Sequence, residues 1–220
     1  MRLVRIWFEK KGMIRYISHL DLMRTMTRAI RRSEIPLWYT EGFNPHPYMT
    51  FSLPLSLGME SECESMDIKI EGDITDGEIL EKLIAAMPDG INVTAVTEPV
   101  FDPKEIAYGE FTLDFDGDFD REKMKEAIKS LLSQDEIIIQ KLGKKGHKKV
   151  MKELDLKPLI FDPAITDTEG GVRLFVRLPA GSKTNVNPSF LADLIGKEVP
   201  EAVCLITRKR LLTSDLTEFK

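Results

Sequence analysis

A chain of 220 residues, 42% hydrophobic and 30% charged, has the size and composition of one large globular domain or two small ones. Its net charge of −5 excludes a protein that coats nucleic acid through bulk charge alone. Two cysteines, Cys63 and Cys204, exclude a disulfide framework and lack the C-x-x-C spacing of a zinc or redox site. No apolar run reaches signal-peptide or membrane-spanning length, so the expectation is a reduced, soluble, cytoplasmic protein with no membrane contact. The charge is unevenly spread. Residues 1–40 carry nine Lys and Arg against three acids, leaving the remaining 180 residues strongly acidic.

In chain order, LVRIWFEKK (3–11) alternates apolar and charged residues and predicts a strand. SHLDLMRTMTRAIRRSE predicts a helix with Ser18 as cap and Asp21 three residues on. Its apolar stripe is Leu22, Met26, Ala29 and Ile30. PLWYT is extended, and a proline-rich loop and a second extended segment, YMTFSLPL, follow. SMDIKIEG reads as a strand, TDGEILEKLIAAMPDG as a capped helix with a Pro-Asp-Gly stop, and INVTAVTEPV as a closing strand. The order β-α-β-β-α-β is that of a ferredoxin-like unit.

The second half repeats the scheme. GEFTLDFDG is a strand and DREKMKEAIKSLLSQ an amphipathic helix. EIIIQKL is a strand that leads through a Lys-rich turn into mixed structure. GVRLFVRLPA is a strand, NPSFLADLIG a short helix and EAVCLITRKRLL the last strand. The predicted fold class is therefore α+β, with two tandem ferredoxin-like (βαββαβ) units over 1–104 and 105–220.

Three stretches carry candidate chemistry. On the first helix Arg24, Arg28, Arg31 and Arg32 fall at i, i+4, i+7 and i+8, displaced from the apolar stripe, with no acid expected within reach on that face. Guanidinium forks in such a ridge suit phosphates, though a solvated helix face has the same pattern. In G-F-N-P-H-P (42–47) each proline forces the residue before it towards extended backbone, so Asn44 and His46 stand on a stiff mount flanked by Phe43 and Tyr48. His46 there suits proton transfer, ligand contact or fixing the turn. His19, in the helix's first turn, either binds an anion with free N–H groups or helps cap the helix. KLGKKGHKKVMKELDLK (141–157) holds seven lysines; Lys144, Lys145, Lys148 and Lys149 make its turn basic, suited to tracking a phosphate backbone or simply exposed. No metal site is expected: the three histidines are too scattered.

The run from Arg15 to Ile70 closely resembles the opening of the radical SAM-linked protein family, a domain of unknown function. The shared elements are Ser18-His19-Leu20-Asp21, Gly42 to Pro47, and Pro54 through Gly58 to Ser61. A second signature corresponds to Asp155–Leu159, and Thr207–Leu211 matches the family's final element inexactly. The resemblance implies a setting beside a radical SAM enzyme, which would carry the iron–sulfur cluster and SAM; this chain has no cluster-binding cysteines and no cofactor of its own.

The expected function is thus an accessory RNA-binding module that presents structured RNA, tRNA or rRNA, to a radical SAM partner. One alternative is an RNA-processing or RNA-modifying enzyme using His46 or His19, against which the missing acid–base pair argues. The other is a protein-interaction domain docking the radical SAM protein. A chain without its own catalytic activity is the favoured expectation. Oligomeric state is not legible.

Overall fold

The computed structural model describes residues 1–145 and 148–220, the side chains of 142–150 excepted. It is an α+β protein with mostly antiparallel strand pairing and four α-helices among the described residues. The chain divides into two compact units, Met1–Ala107 with Thr207–Lys220, and Tyr108–Ile206.

The first unit holds β1 (Arg2–Lys10), α1 (His19–Arg32), β2 (Met49–Phe51), β3 (Glu60–Ile70), α2 (Asp76–Ala86) and β4 (Ile91–Thr97). Strand β1 is central, antiparallel to β4 on one side and to β3 on the other. The far edge of β3 carries β2 along Met66–Ile68, and Thr207–Arg208 in parallel along Glu60–Ser61. Alternation decides the faces. Val4, Ile6 and Phe8 of β1 and Met66, Ile68 and Ile70 of β3 point to one side, where they pack with Leu22, Met26 and Ile30 of α1 and Ile79 and Leu83 of α2. The apolar stripe read from the sequence is the buried face of α1. Ser18 caps that helix, its Oγ accepting from Asp21 N at 3.1 Å. Thr75 and Glu78 close a reciprocal capping box on α2.

PLWYT forms no strand of its own. It meets β3 only through an isolated bridge between Leu37 and Ile70, because the chain leaves the sheet edge at Tyr39 for the proline-rich excursion and returns at Tyr48.

The second unit holds β5 (Tyr108–Asp116), α3 (Arg121–Ser133), β6 (Ile138–Lys145), β7 (Lys148–Asp155), β8 (Phe161–Asp167), β9 (Gly171–Pro179) and α4 (Ser189–Gly196). A last strand, β10 (Val203–Leu212), begins in this unit and ends in the first. Strand β9 lies antiparallel between β5 and β8. EIIIQKL does not join that sheet: β6 pairs with β7 in a separate two-stranded hairpin. Its expected place is taken by β8, which has no buried residue and carries Pro163, a residue that argues against a strand in sequence.

The sequence-based division at 104/105 also differs at the C-terminus. Residues 207–220 return to the first unit because Leu211 and Phe219 bury themselves with Ile106, against Trp7 and Phe101. No helix among the described residues is long and apolar enough to cross a membrane.

Candidate functional site

The proline-rich excursion is tied at its neck. Thr40 N donates to His46 O at 2.9 Å, His46 N donates to Thr40 Oγ1 at 3.2 Å, and Tyr48 N donates to Trp38 O at 3.2 Å. Pro47 is buried, and Gly42 takes φ = 128°, backbone that a side chain would strain. The turn so formed holds Phe43 fully exposed at 112%, with Asn44 and His46 exposed beside it. The Nδ1 of His46 lies 3.1 Å from both Thr40 Oγ1 and the Asn44 carbonyl. A carbonyl only accepts, so the Asn44 bond requires Nδ1–H. That leaves Nε2 with no hydrogen bond among the described residues. His46 therefore both fixes the turn and presents a second ring nitrogen to a ligand. Tyr48, by contrast, is half-buried, 6.3 Å from Trp38 between ring centres, with Lys69 Nζ 4.5 Å from its own ring centre.

The arginine ridge of α1 is less free than its spacing implies. Asp21, one turn back, reaches Arg24 at 3.2 Å, correcting the expectation that no acid lies within reach. Hydrogen bonds from Ser18 and Arg24 hold the Asp21 carboxyl below its usual range. Arg32 Nη2 donates to the Ala86 carbonyl at 2.8 Å. Arg28 and Arg31 are exposed, with no ion pair or hydrogen bond among the described residues. Nor does any such bond join the ridge to the 42–47 turn. His19 is half-buried with its ring edge-on to Phe51 at 5.1 Å, a packing position rather than a presented ligand. Lys144, Lys145, Lys148 and Lys149 lie outside the described side chains.

Two buried charge groups escaped the sequence reading. On the core side of the sheet, Arg208 bonds Glu64 and donates to Leu53 O at 2.9 Å. Lys10 lies beside this pair, only 2% exposed, its Nζ donating to Arg15 O at 3.3 Å. Burial holds the Lys10 pKa below its ordinary value, with Glu64 opposing and Arg208 adding to the fall. The Arg208 Nε is buried without a hydrogen-bond partner among the described residues. Through this cluster the 54–61 element, the Arg15 carbonyl and the 207–211 stretch meet, since Gly58 N also donates to Arg15 O at 2.9 Å. Next to Arg208, Lys209 pairs with Glu62.

On the opposite face Arg5 grips Asp67 through two bonds of 2.7 and 2.9 Å, and donates to the Lys220 carbonyl at 3.0 Å. The Phe219 ring covers the guanidinium at 4.5 Å. No local signal marks these partners, which stand 62 positions apart in the chain.

Burial pushes the Cys63 and Cys204 thiols up to about 12, so neither is a nucleophile near neutral pH. Among the described residues no three His, Cys, Asp or Glu side chains gather to hold a metal ion.

No curated protein matches the sequence. Among solved structures, "Crystal Structure of a Cbf5-Nop10-Gar1 Complex" aligns at TM-score 0.48 and 12% identity, covering 94% of this chain. The chain spans 48% of that structure's matched chain. "Crystal Structure of an Unknown Protein from Galdieria sulphuraria" aligns at TM-score 0.26 and 10% identity over 94% of this chain and 98% of the other. Residues 3–188, most of the chain and all three motif elements of its first unit, match one sequence family, and the protein belongs to it: the family described as uncharacterized protein conserved in bacteria (DUF2344).

Proposed function

We propose that this protein is an accessory RNA-binding module built of two ferredoxin-like units, acting beside a radical SAM enzyme that supplies the cluster and SAM. The observation that carries the reading is Phe43, a fully exposed aromatic on a turn whose neck is tied by three hydrogen bonds. An apolar ring has no folding reason to stand in water on so constrained a mount. A ring in that pose suits stacking on an unpaired base, which is how proteins read single-stranded RNA. Asn44 and the His46 Nε2 beside it suit hydrogen bonding to base edges, and Arg28 and Arg31 suit phosphates. The element order of the first unit, and the antiparallel order β4-β1-β3-β2, support the ferredoxin-like reading there. In the second unit the same reading requires β6–β7 to be an inserted hairpin.

Titration of labelled tRNA and rRNA fragments at several salt concentrations tests the proposal. The wild type should bind with steep salt dependence. The Arg28→Ala/Arg31→Ala variant should lower the slope of log K against log[salt] by about 1.4, the value for two lost single-strand phosphate contacts. Phe43→Ala should weaken binding about tenfold at every salt concentration. Binding indifferent to salt and to both variants would overturn the reading.

A second reading has its own observation. Met13 (80%), Tyr16 (55%), Leu20 (54%) and Leu57 (64%) are all exposed, on two segments joined by the Gly58–Arg15 bond. Exposed apolar residues of this kind favour docking of the radical SAM partner, in which case that binding persists without RNA and at high salt.

A further inference from the structure

The outer face of the first unit's sheet carries a cleft of about 450 Å³ that neither the motifs nor the arginine ridge accounts for. Across adjacent strands β2, β3 and β1, Thr50, Asp67 and Arg5 stand in register and form its polar floor. Tyr48 is one wall, Phe101 belongs to the facing segment, and Lys104 also lines it. We propose that this cleft binds a single nucleobase with its phosphate, and that it is the place where the RNA module argued above reads one nucleotide; the inference rests on that reading.

Four properties of the lining select this ligand class. The first is size, since small-ligand sites begin at about 300 Å³. The second is flatness: the Tyr48 ring offers an aromatic surface to a planar partner.

The third is mixed hydrogen bonding from side chains that are almost wholly buried. Arg5 is 0% exposed and Asp67 6%. Arg5, with no surface exposed, spends donors on both Asp67 oxygens and on Lys220 O and so orients the carboxylate from beneath. Each Asp67 oxygen keeps a lone pair, and the Thr50 hydroxyl can donate or accept. A ligand edge carrying donor and acceptor side by side meets that floor, and every nucleobase has one.

The fourth is charge at the rim. Lys104 lines the cleft and suits a phosphate, while Asp102, also in the lining, caps the backbone N–H of Lys104 at 2.8 Å. An apolar metabolite would leave the floor unsatisfied, and a bare anion would face Asp67. The cleft and the proline-rich turn share Tyr48, a cleft wall whose N–H closes the neck of the turn two residues after His46.

The test uses the full chain and the four ribonucleoside 5′-monophosphates in isothermal titration, alongside Tyr48→Ala and Lys104→Ala. Neither variant touches the Arg5–Asp67 pair, so both should fold. At least one monophosphate should bind with a Kd below about 1 mM, weakened about tenfold by Tyr48→Ala. Lys104→Ala should abolish the advantage of the monophosphate over its nucleoside. Failure of all four to bind, or equal binding by Tyr48→Ala, overturns the proposal. RNA binding that depends on Arg28 and Arg31 while no monophosphate binds overturns the cleft alone. Monophosphate binding lost in Tyr48→Ala without any RNA binding supports the cleft and overturns the RNA module.

Discussion

Arg5 and Arg28 are both among the nine cations of the first 40 residues, yet the structure gives them opposite roles. Arg5, on the central strand, is fully buried, clamped to Asp67 and covered by Phe219. Arg28, on the outer face of α1, stands in water without a partner among the described residues. The rest divide similarly. Lys10 is buried, while Arg2, Lys11, Arg15 and Arg24 pair with Asp76, Glu9, Glu60 and Asp21. Arg32 bonds a carbonyl. A count of charges along the chain therefore overstates the basic field of this segment. What remains for a phosphate is a pair of guanidiniums one turn apart, not a ridge of four.

The contrast has measurable consequences. The largest is expected at the buried pair: Asp67→Ala strands an uncompensated guanidinium and should cost about 3–5 kcal/mol in denaturant unfolding. A loss below about 1 kcal/mol would mean that water already solvates the pair through the cleft.

A smaller effect is expected at the cap of α1. Ser18→Ala should cost about 1 kcal/mol, and Ser18→Gly only a few tenths, since glycine tolerates the cap backbone. No loss in Ser18→Ala would show that the Ser18 side chain does no capping. Smallest of all, Arg28→Ala should leave stability within about 0.5 kcal/mol of the wild type. Any larger loss would reveal a structural partner and break the comparison with Arg5.

Lys10 gives the comparison a pH axis. Its folded pKa lies below the ordinary lysine value of 10.5, chiefly through burial. Between the folded pKa and 10.5 the unfolded chain binds more protons, so this group makes stability rise with pH across that window. The wild type should accordingly gain on Lys10→Met as pH climbs towards 10.5, and a flat difference between the two would show that Lys10 is solvated. The buried thiols act in the opposite sense. With folded values near 12 against 9.0 unfolded, they lose stability as pH rises above 9. Comparing Lys10→Met with the wild type cancels that contribution.

Much of the first unit was legible because its signals are local. The apolar stripe of α1, the Ser18 and Thr75 caps, and the alternation of β1 each lie within a few turns of chain. The stiffness of the 42–47 turn followed from its prolines, though its neck depends on Thr40, which no motif marked. Strand β8 was hidden by Pro163, which argues against a strand. The β6–β7 hairpin was misassigned because alternation identifies a strand but not its partner.

By itself, then, the sequence determined the helices and most of the strands, where α1 and α2 begin, and that Phe43, Asn44 and His46 share a rigid mount. Periodicity, capping and proline act between near neighbours, so no partner is needed to read them. Only the tertiary structure decided which distant charges meet: Arg5 with Asp67, and Arg208 with Glu64. Both pairings depend on strand register across 62 and 144 positions. Register is fixed by packing of whole faces, and a shift of one residue would turn every one of these side chains to the other side of the sheet.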